Sequence, residues 1–91
     1  MKTQKKMRSL RMGYAKQQTI YRTCRNYNQQ SNPVKEKIER LCYTVARGDR
    51  RKYNALFAVL TTGKSIRRIA MEHYYSERLL YALRGEFYSA W

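Results

Sequence analysis

The residues able to do chemistry in this 91-residue chain are few, apart from its cations. Cys24, Cys42 and His73 supply two thiols and one imidazole, and no carboxylate stands at a recognisable spacing to complete a zinc site. The sequence also has no Gly-rich phosphate loop, no paired carboxylates and no nucleophile–base motif. We therefore predict no enzyme activity, no metal, no cofactor and no small-molecule substrate. Both cysteines are interpreted as reduced thiols of a cytoplasmic protein.

The cations dominate the composition. Lysine and arginine total 20 against 6 acidic residues, for a formal net charge of +14. A positive potential of this size attracts polyanions, namely DNA, RNA or anionic lipid. No run of 18 apolar residues exists, and no apolar region follows the basic N-terminus, so we predict neither a membrane span nor a secretory signal. A mitochondrial transit peptide is disfavoured because the apolar face is thin and serine is scarce.

The charge is distributed unevenly along the chain. Residues 1–35 contain basic residues and no acid, whereas all six acids lie in residues 36–91. The segment 19–32 is polar and Asn/Gln-rich and ends at Pro33, which predicts a linker or irregular structure. We therefore predict a basic arm and polar linker over 1–33 and a helical domain over 34–91. The arm residues expected to contact nucleic acid are Lys5, Lys6, Arg8, Arg11, Lys16, Arg22 and Arg25.

Four segments of the second part share the apolar spacing i, i+3, i+4, i+7 that is typical of amphipathic helices. They span 34–47, 50–60, 66–74 and 77–90, and Asp49, Ser65 and Ser76 precede three of them as N-cap residues. The fold class predicted is all-α: a small bundle of about four helices that ends in a helix-turn-helix, with a basic N-terminal arm. The predicted inward residues are Ile38, Leu41, Cys42, Val45, Tyr53, Leu56, Phe57, Leu60, Ile66, Ile69, Ala70, His73, Leu80, Leu83 and Phe87.

The last two segments carry a resemblance to a known family. In a helix-turn-helix, two short helices are joined by a tight turn and the second enters the major groove of DNA. The runs Gly63-Lys64-Ser65-Ile66-Arg67-Arg68-Ile69-Ala70 and Tyr75-Ser76-Glu77-Arg78-Leu79-Leu80 resemble the helix-turn-helix of sigma factor region four. With the preceding Arg51-Lys52-Tyr53-Asn54-Ala55-Leu56, residues 36–91 are similar to phage antitermination proteins of the Q type and related small phage transcription regulators. The sequence departs from that pattern at the bulky Tyr74 and at Arg68, where an acidic residue is common.

The resemblance implies which residues meet DNA. With Leu80, Leu83 and Phe87 buried, the solvent face of 77–88 would contact bases through Glu77, Arg78, Tyr81, Ala82 and Gly85. Arg78 suits guanine, Glu77 a cytosine amino group, and Tyr81 a thymine methyl group or a phosphate. The backbone contacts implied are Lys64, Ser65, Arg67, Arg68 and Arg84, together with Arg50, Arg51 and Lys52. Arg78 and the run 50–52 have the alternative interpretation of solvated surface charge.

The function implied is a sequence-specific DNA-binding transcription regulator of phage type, an antiterminator or activator that acts with RNA polymerase. It would work on double-stranded DNA in the cytoplasm of a bacterial host, at the nucleoid. One recognition helix gives limited specificity, which favours a homodimer or a polymerase-assisted complex. The alternative is an adaptor that binds RNA polymerase or another phage protein through Tyr74, Tyr75, Tyr81 and Tyr88, with only nonspecific nucleic-acid contacts. A third possibility, RNA binding by the arm, is weakened by the sparse spacing of its arginines.

Overall fold

Five α-helices make up most of the chain in the computed structural model, which describes residues 12–91. They are α1 (Tyr14–Arg25), α2 (Asn32–Val45), α3 (Arg50–Thr61), α4 (Ile66–His73) and α5 (Glu77–Ala90), with a short 3-10 turn at Tyr27–Gln29. The central helix is α3, since it packs against each of the others. Within residues 12–91 there is no strand, and no helix is long and apolar enough to cross a membrane. The predicted all-α class is confirmed, with one helix beyond the four expected.

Three helices begin at the predicted N-cap residues. The Asp49 carboxylate accepts hydrogen bonds from the amides of Arg51 and Lys52 at 2.9 and 3.1 Å. The hydroxyls of Ser65 and Ser76 each accept one at 3.1 Å, from the third residue of α4 and of α5 respectively. Each cap satisfies backbone donors that have no partner within the helix and contributes about 1 kcal/mol. The boundaries of α3, α4 and α5 therefore follow from the sequence to within one residue.

The apolar stripes of α2 to α5 meet in one core. Ile38, Cys42, Leu56, Ile69, Leu80 and Phe87 have no measurable exposure or almost none. Four of the predicted inward residues are only half-buried at the margin, and they are Leu41, Tyr53, Phe57 and His73. Tyr88, which is outside the predicted inward set, is buried next to Phe87, with ring centroids 6.3 Å apart. Burial of these stripes is the main force holding the helices together.

The prediction of a polar linker over 19–32 is wrong. Residues 14–25 form α1, which packs against α3 and buries Ile20 and Cys24 completely in the common core. Two glutamines of α1, Gln17 and Gln18, are also buried, and the Gln17 side-chain amide donates to the Met12 carbonyl oxygen at 3.1 Å. A glutamine at a core position interrupts the apolar pattern, so periodicity alone could not show this helix. Residues 12–33 therefore do not form a separate arm and linker, whereas residues 1–11 of the predicted arm lie outside the described part of the chain.

The two cysteines are buried and free of any disulfide. Burial raises the pKa of both Cys24 and Cys42 to about 12, so neither forms a reactive thiolate near neutral pH. Among residues 12–91, no three His, Cys, Asp or Glu side chains lie together in a group that could hold a metal ion. The cysteines therefore act here as small apolar core residues.

The turn between α4 and α5 contains a backbone conformation that is unfavourable for its residue type. Tyr74 ends α4 in the left-handed region, with φ 59° and ψ 40°, and its side chain is 87% exposed. The Tyr75 amide then donates to the Ala70 carbonyl oxygen at 3.0 Å, which closes the helix end. Glycine is the usual residue at such a position, because a Cβ atom costs energy there.

We expect Tyr74→Gly to stabilise the protein. Relief of the left-handed strain is worth roughly 1–2 kcal/mol, and the added flexibility of glycine in the unfolded chain offsets roughly 0.5–1 kcal/mol of it. The free energy of unfolding should rise by about 0.5–1 kcal/mol in urea denaturation. Met71→Gly, at an exposed position inside α4, is the matched control and should lose about 1 kcal/mol. Equal losses in both variants would contradict the strain at Tyr74.

Candidate nucleic-acid interface

The outer face of α5 presents the residues predicted to contact bases. Glu77, Arg78, Tyr81 and Ala82 are exposed, and Gly85 is half-buried on the same side. The opposite side is anchored by Leu80, Leu83 and Phe87, all buried. This arrangement follows from helical spacing, since residues three and four apart share a face. The structure therefore brings the five predicted base-contact residues together on one surface.

Arg78 is the most available cation on this face. Its side chain is exposed, and among residues 12–91 it has no hydrogen-bonding, ion-pair or ring partner. It lies in the first turn of α5, two residues after the Ser76 cap. Its five guanidinium donors are therefore free for an external acceptor, and the fixed fork of these donors suits a bidentate contact.

Tyr81 and Arg84 form a pair one turn further along α5. The Arg84 guanidinium carbon lies 5.2 Å from the Tyr81 ring centroid, while the tyrosine itself is 51% exposed. The Arg84 Nε is buried and has no hydrogen-bond partner within the described chain, and burial lowers the pKa of this arginine. The described contact of Arg84 is with the Tyr81 ring. Its contact with a DNA phosphate stays a prediction.

A basic cluster lies beside the α4–α5 turn. It consists of Arg50, Arg51 and Lys52 in the first turn of α3. Two contacts of Arg51 show where this cluster lies. Its Nη2 donates to the His73 carbonyl oxygen at 3.4 Å, and its guanidinium carbon lies 5.3 Å from the centroid of the Tyr75 ring. The start of α3 therefore lies next to the turn that leads into Arg78. We call this set of three cations the α3 cluster.

A second basic cluster lies at the start of α4 and consists of Lys64, Arg67 and Arg68. The Lys64 Nζ and the Arg68 Nε each contact a carboxylate oxygen of Glu72, at 3.2 and 3.3 Å. The hydrogen bond from Lys64 is the main reason that the pKa of Glu72 is lowered. Arg67 is exposed and makes no such pair within residues 12–91. This α4 cluster thus keeps an excess of positive charge, and the Ser65 oxygen is already engaged as the cap.

The predicted arm cations behave differently from one another. Lys16 and Arg22 are exposed on α1. The Arg25 Nη1 donates to the Thr61 carbonyl oxygen at 3.0 Å, and its guanidinium lies where a side chain on Gly63 would be, 2.6 Å from an ideal Cβ. Gly63 has φ +74°, a backbone conformation that favours glycine in the turn after α3. Arg25 therefore joins α1 to the end of α3, and its contact with nucleic acid stays a prediction. The other predicted arm residues, Lys5, Lys6, Arg8 and Arg11, lie outside the described part of the chain.

No protein-family model, curated protein or solved structure matches this chain. Its function must therefore be inferred from the α5 face, the α3 cluster beside the turn that precedes it and the α4 cluster at the start of α4.

One exposed apolar residue near this surface is absent from the sequence-based expectations. Met71 is 71% exposed on α4, and the largely exposed Tyr74 ends the same helix. The signal was available in the sequence, because residue 71 lies four after Arg67 on the polar side of the helix, away from Ile69. The α5 face is therefore bordered by both cations and apolar side chains.

Proposed function

We propose that this protein is a sequence-specific DNA-binding transcription regulator that inserts α5 into the major groove. The observation that supports this most is the state of Arg78. It is exposed and unpaired within the described chain, at the start of a helix whose other side is buried. A charged side chain in this position is free to exchange water for a base edge without breaking a contact inside the protein.

In this proposal the first two turns of α5 carry base recognition. Arg78 donates two hydrogen bonds to the O6 and N7 atoms of a guanine, and Glu77 accepts one from a cytosine amino group. Tyr81, held by Arg84, contacts a thymine methyl group, and the small Ala82 and Gly85 allow the helix to approach the base edges closely.

The two basic clusters supply the backbone contacts. The α3 cluster lies beside the turn before α5, and the α4 cluster lies at the opposite end of α4, about 12 Å away for a helix of eight residues. The major groove is also about 12 Å wide, so cations at both places can contact phosphates on either side of the inserted helix. These contacts position the protein and carry no sequence information.

The resemblance to sigma factor region four and to Q-type antitermination proteins extends the proposal to transcription in a bacterial host. The protein then acts on promoter or early transcribed DNA at the nucleoid, as an activator or antiterminator together with RNA polymerase. One recognition helix gives limited specificity, so a second copy or the polymerase supplies the additional binding energy.

The proposal is tested by selecting bound duplexes from a random DNA pool at about 150 mM salt, near physiological ionic strength. Wild type and an Arg78→Ala/Tyr81→Ala double variant are compared. A motif enriched by the wild type and lost by the variant is the expected result, and its symmetry reports the number of copies bound. Binding without any motif would reject base recognition by α5.

We expect Arg78→Ala alone to cost about 1–3 kcal/mol of binding free energy on the selected site and to relax one base position. Affinity for random duplex should change much less, because the backbone contacts remain. Fluorescence anisotropy with both duplexes measures the two losses. Arg40→Ala removes the same charge from an exposed position on α2, outside all the residues predicted to contact DNA, and serves as the matched control. Equal losses on specific and random DNA would reject the role of Arg78 in base recognition.

One observation favours a second candidate function. Of the four tyrosines predicted for the adaptor surface, Tyr88 is buried in the core and cannot belong to it, and Tyr75 is half-buried. Tyr74 and Tyr81 are exposed, as is Met71 on α4, and large apolar side chains are enriched in protein interfaces. An adaptor would use this surface to bind RNA polymerase and would contact nucleic acid nonspecifically. Binding of purified polymerase that survives nuclease treatment and is lost in a Met71→Ser/Tyr74→Ser variant would support the adaptor.

A further inference from the structure

A groove lies between α2 and the first half of α3. Its volume is about 460 Å³, within the range of small-molecule sites, which runs from about 300 to 1,000 Å³. Arg40 and Tyr43 line it from α2, and Arg50, Tyr53 and Asn54 line it from α3.

Two tyrosines form the aromatic part of the groove. Tyr53 is half-buried and fixed, because its ring stacks on Phe57 with centroids 6.0 Å apart and planes 5° apart. Tyr43 is 63% exposed, and its hydroxyl lies 3.6 Å from the place where a Cβ on Gly48 would stand. Gly48 has φ +78° and no side chain, so the connection between the helices leaves the groove open. The groove therefore offers one rigid and one accessible aromatic ring.

The charged side chains that line the groove differ in whether they already have a partner within the protein. Arg40 and Arg50 are exposed, and neither has an ion-pair or hydrogen-bond partner within residues 12–91. The two carboxylates nearby are already engaged, since Glu39 accepts a hydrogen bond from the Tyr27 hydroxyl and Asp49 caps α3. The groove thus presents free guanidinium groups to an anion, while its acidic groups serve the fold.

We infer that this groove binds a nucleoside phosphate, with the base against Tyr43 and Tyr53 and the phosphate held by Arg40 and Arg50. Guanidinium groups match phosphate oxygens in a bidentate manner, and tyrosine rings stack on any base. Asn54 also lines the groove, and its side-chain amide is able both to donate to and to accept from a base edge. The ligand is either a free nucleotide or one unpaired residue of single-stranded nucleic acid, which share this chemistry. The site goes beyond the proposed function because it uses none of the α5 face, and it shares only Arg50 with the α3 cluster.

The experiment uses the full chain and adenosine 5′-monophosphate as the probe. Amide resonances of Arg40, Tyr43, Gly48 and Asn54 should shift on titration, whereas that of Arg78 should not. Tyr43→Ala, which leaves the charge unchanged, should weaken binding about 5- to 100-fold. Arg40→Gln/Arg50→Gln should weaken it at least about tenfold, the loss expected for charge-assisted hydrogen bonds to phosphate. Tyr74→Ala and Arg67→Gln are the matched controls, and they remove an exposed tyrosine and an unpaired arginine elsewhere.

The outcomes are distinct. Ribose 5-phosphate or inorganic phosphate binding as tightly as the nucleotide would overturn the inference, because the base would then contribute nothing. Unchanged affinity in Tyr43→Ala would overturn it as well. An adenylate tetranucleotide that binds more than about tenfold tighter than the mononucleotide through the same residues identifies single strands as the source, and equal affinity identifies free nucleotide. Retention of nucleotide binding in Arg78→Ala, and of duplex binding in Tyr43→Ala, separates this site from the α5 face, since neither variant changes the shared Arg50.

Discussion

Replacing Ile20 with alanine lowers the free energy of unfolding by about 2–5 kcal/mol. The side chain has 0% exposure and lies on α1 where this helix meets α3. Its truncation removes buried methyl and methylene groups and leaves a cavity that the central helix cannot fill without moving. Since domains of ordinary size are stable by only about 5–15 kcal/mol in total, the loss is large. Urea denaturation followed by circular dichroism measures it.

Lys16→Ala is the matched control on the same helix. Lys16 is exposed and unpaired within the described residues, so its replacement should change stability by less than about 0.5 kcal/mol. If α1 belongs to the common core, Ile20→Ala shifts the midpoint of one transition and leaves its denaturant dependence unchanged. A loss as small as that of Lys16→Ala would show that α1 does not stabilise the domain.

The sequence predicts α2 to α5 but not α1, and the reason lies in the residues at their buried positions. In α2 to α5 each inward position is apolar, and Asp49, Ser65 and Ser76 mark three starts, so pattern and capping agree. In α1 the buried positions are Ile20 and Cys24 together with the polar Gln17 and Gln18. α1 is stabilised by its contact with α3. Because polar residues occupy some of its buried positions, the apolar spacing that identifies the other helices is missing.

The candidate interface likewise has one part that the sequence predicts and another that it does not. The outward direction of Glu77, Arg78 and Tyr81 follows from helical geometry once the inward residues are known. The hydrogen-bond partners of individual cations do not follow from helical geometry, because they depend on how the helices cross. Thus the contact of Arg51 with the His73 carbonyl and that of Arg25 with the Thr61 carbonyl could not be predicted. These contacts decide which cations remain free for a ligand.

The corrected place of α1 also changes how the basic N-terminus can be tested. Deleting residues 2–25 would remove Ile20 and Cys24 from the core and unfold the domain. Deleting residues 2–11 removes no described residue, and this segment includes Lys2, Lys5, Lys6, Arg8 and Arg11. Urea denaturation of the shorter variant is measured beside its binding, so that an effect of charge is separated from an effect on stability.

Binding to duplex DNA should fall steeply with salt. If the two basic clusters and the N-terminal cations contact about six to eight phosphates, the slope of log affinity against log salt is about −5 to −7. Between about 50 and 200 mM salt the affinity should therefore fall about 10³- to 10⁴-fold. The physical reason is the release of counterions from DNA as lysine and arginine take their place. Anisotropy titrations at several salt concentrations give the slope.

Two variants show how much of the salt dependence comes from residues 2–11 and how much from the α3 cluster. Deletion of residues 2–11 makes the slope shallower by about 0.9 for each phosphate that is no longer neutralised, and replacing the α3 cluster with glutamine does the same for its cations. Arg40→Gln is the control for charge alone, because its side chain is exposed on α2 and belongs to neither cluster nor the predicted arm, so the slope should stay within error. A wild-type affinity that falls less than about tenfold over this range contradicts an interface built on phosphate contacts. An unchanged slope after the deletion assigns the phosphate contacts to residues 12–91, which include the α3 and α4 clusters.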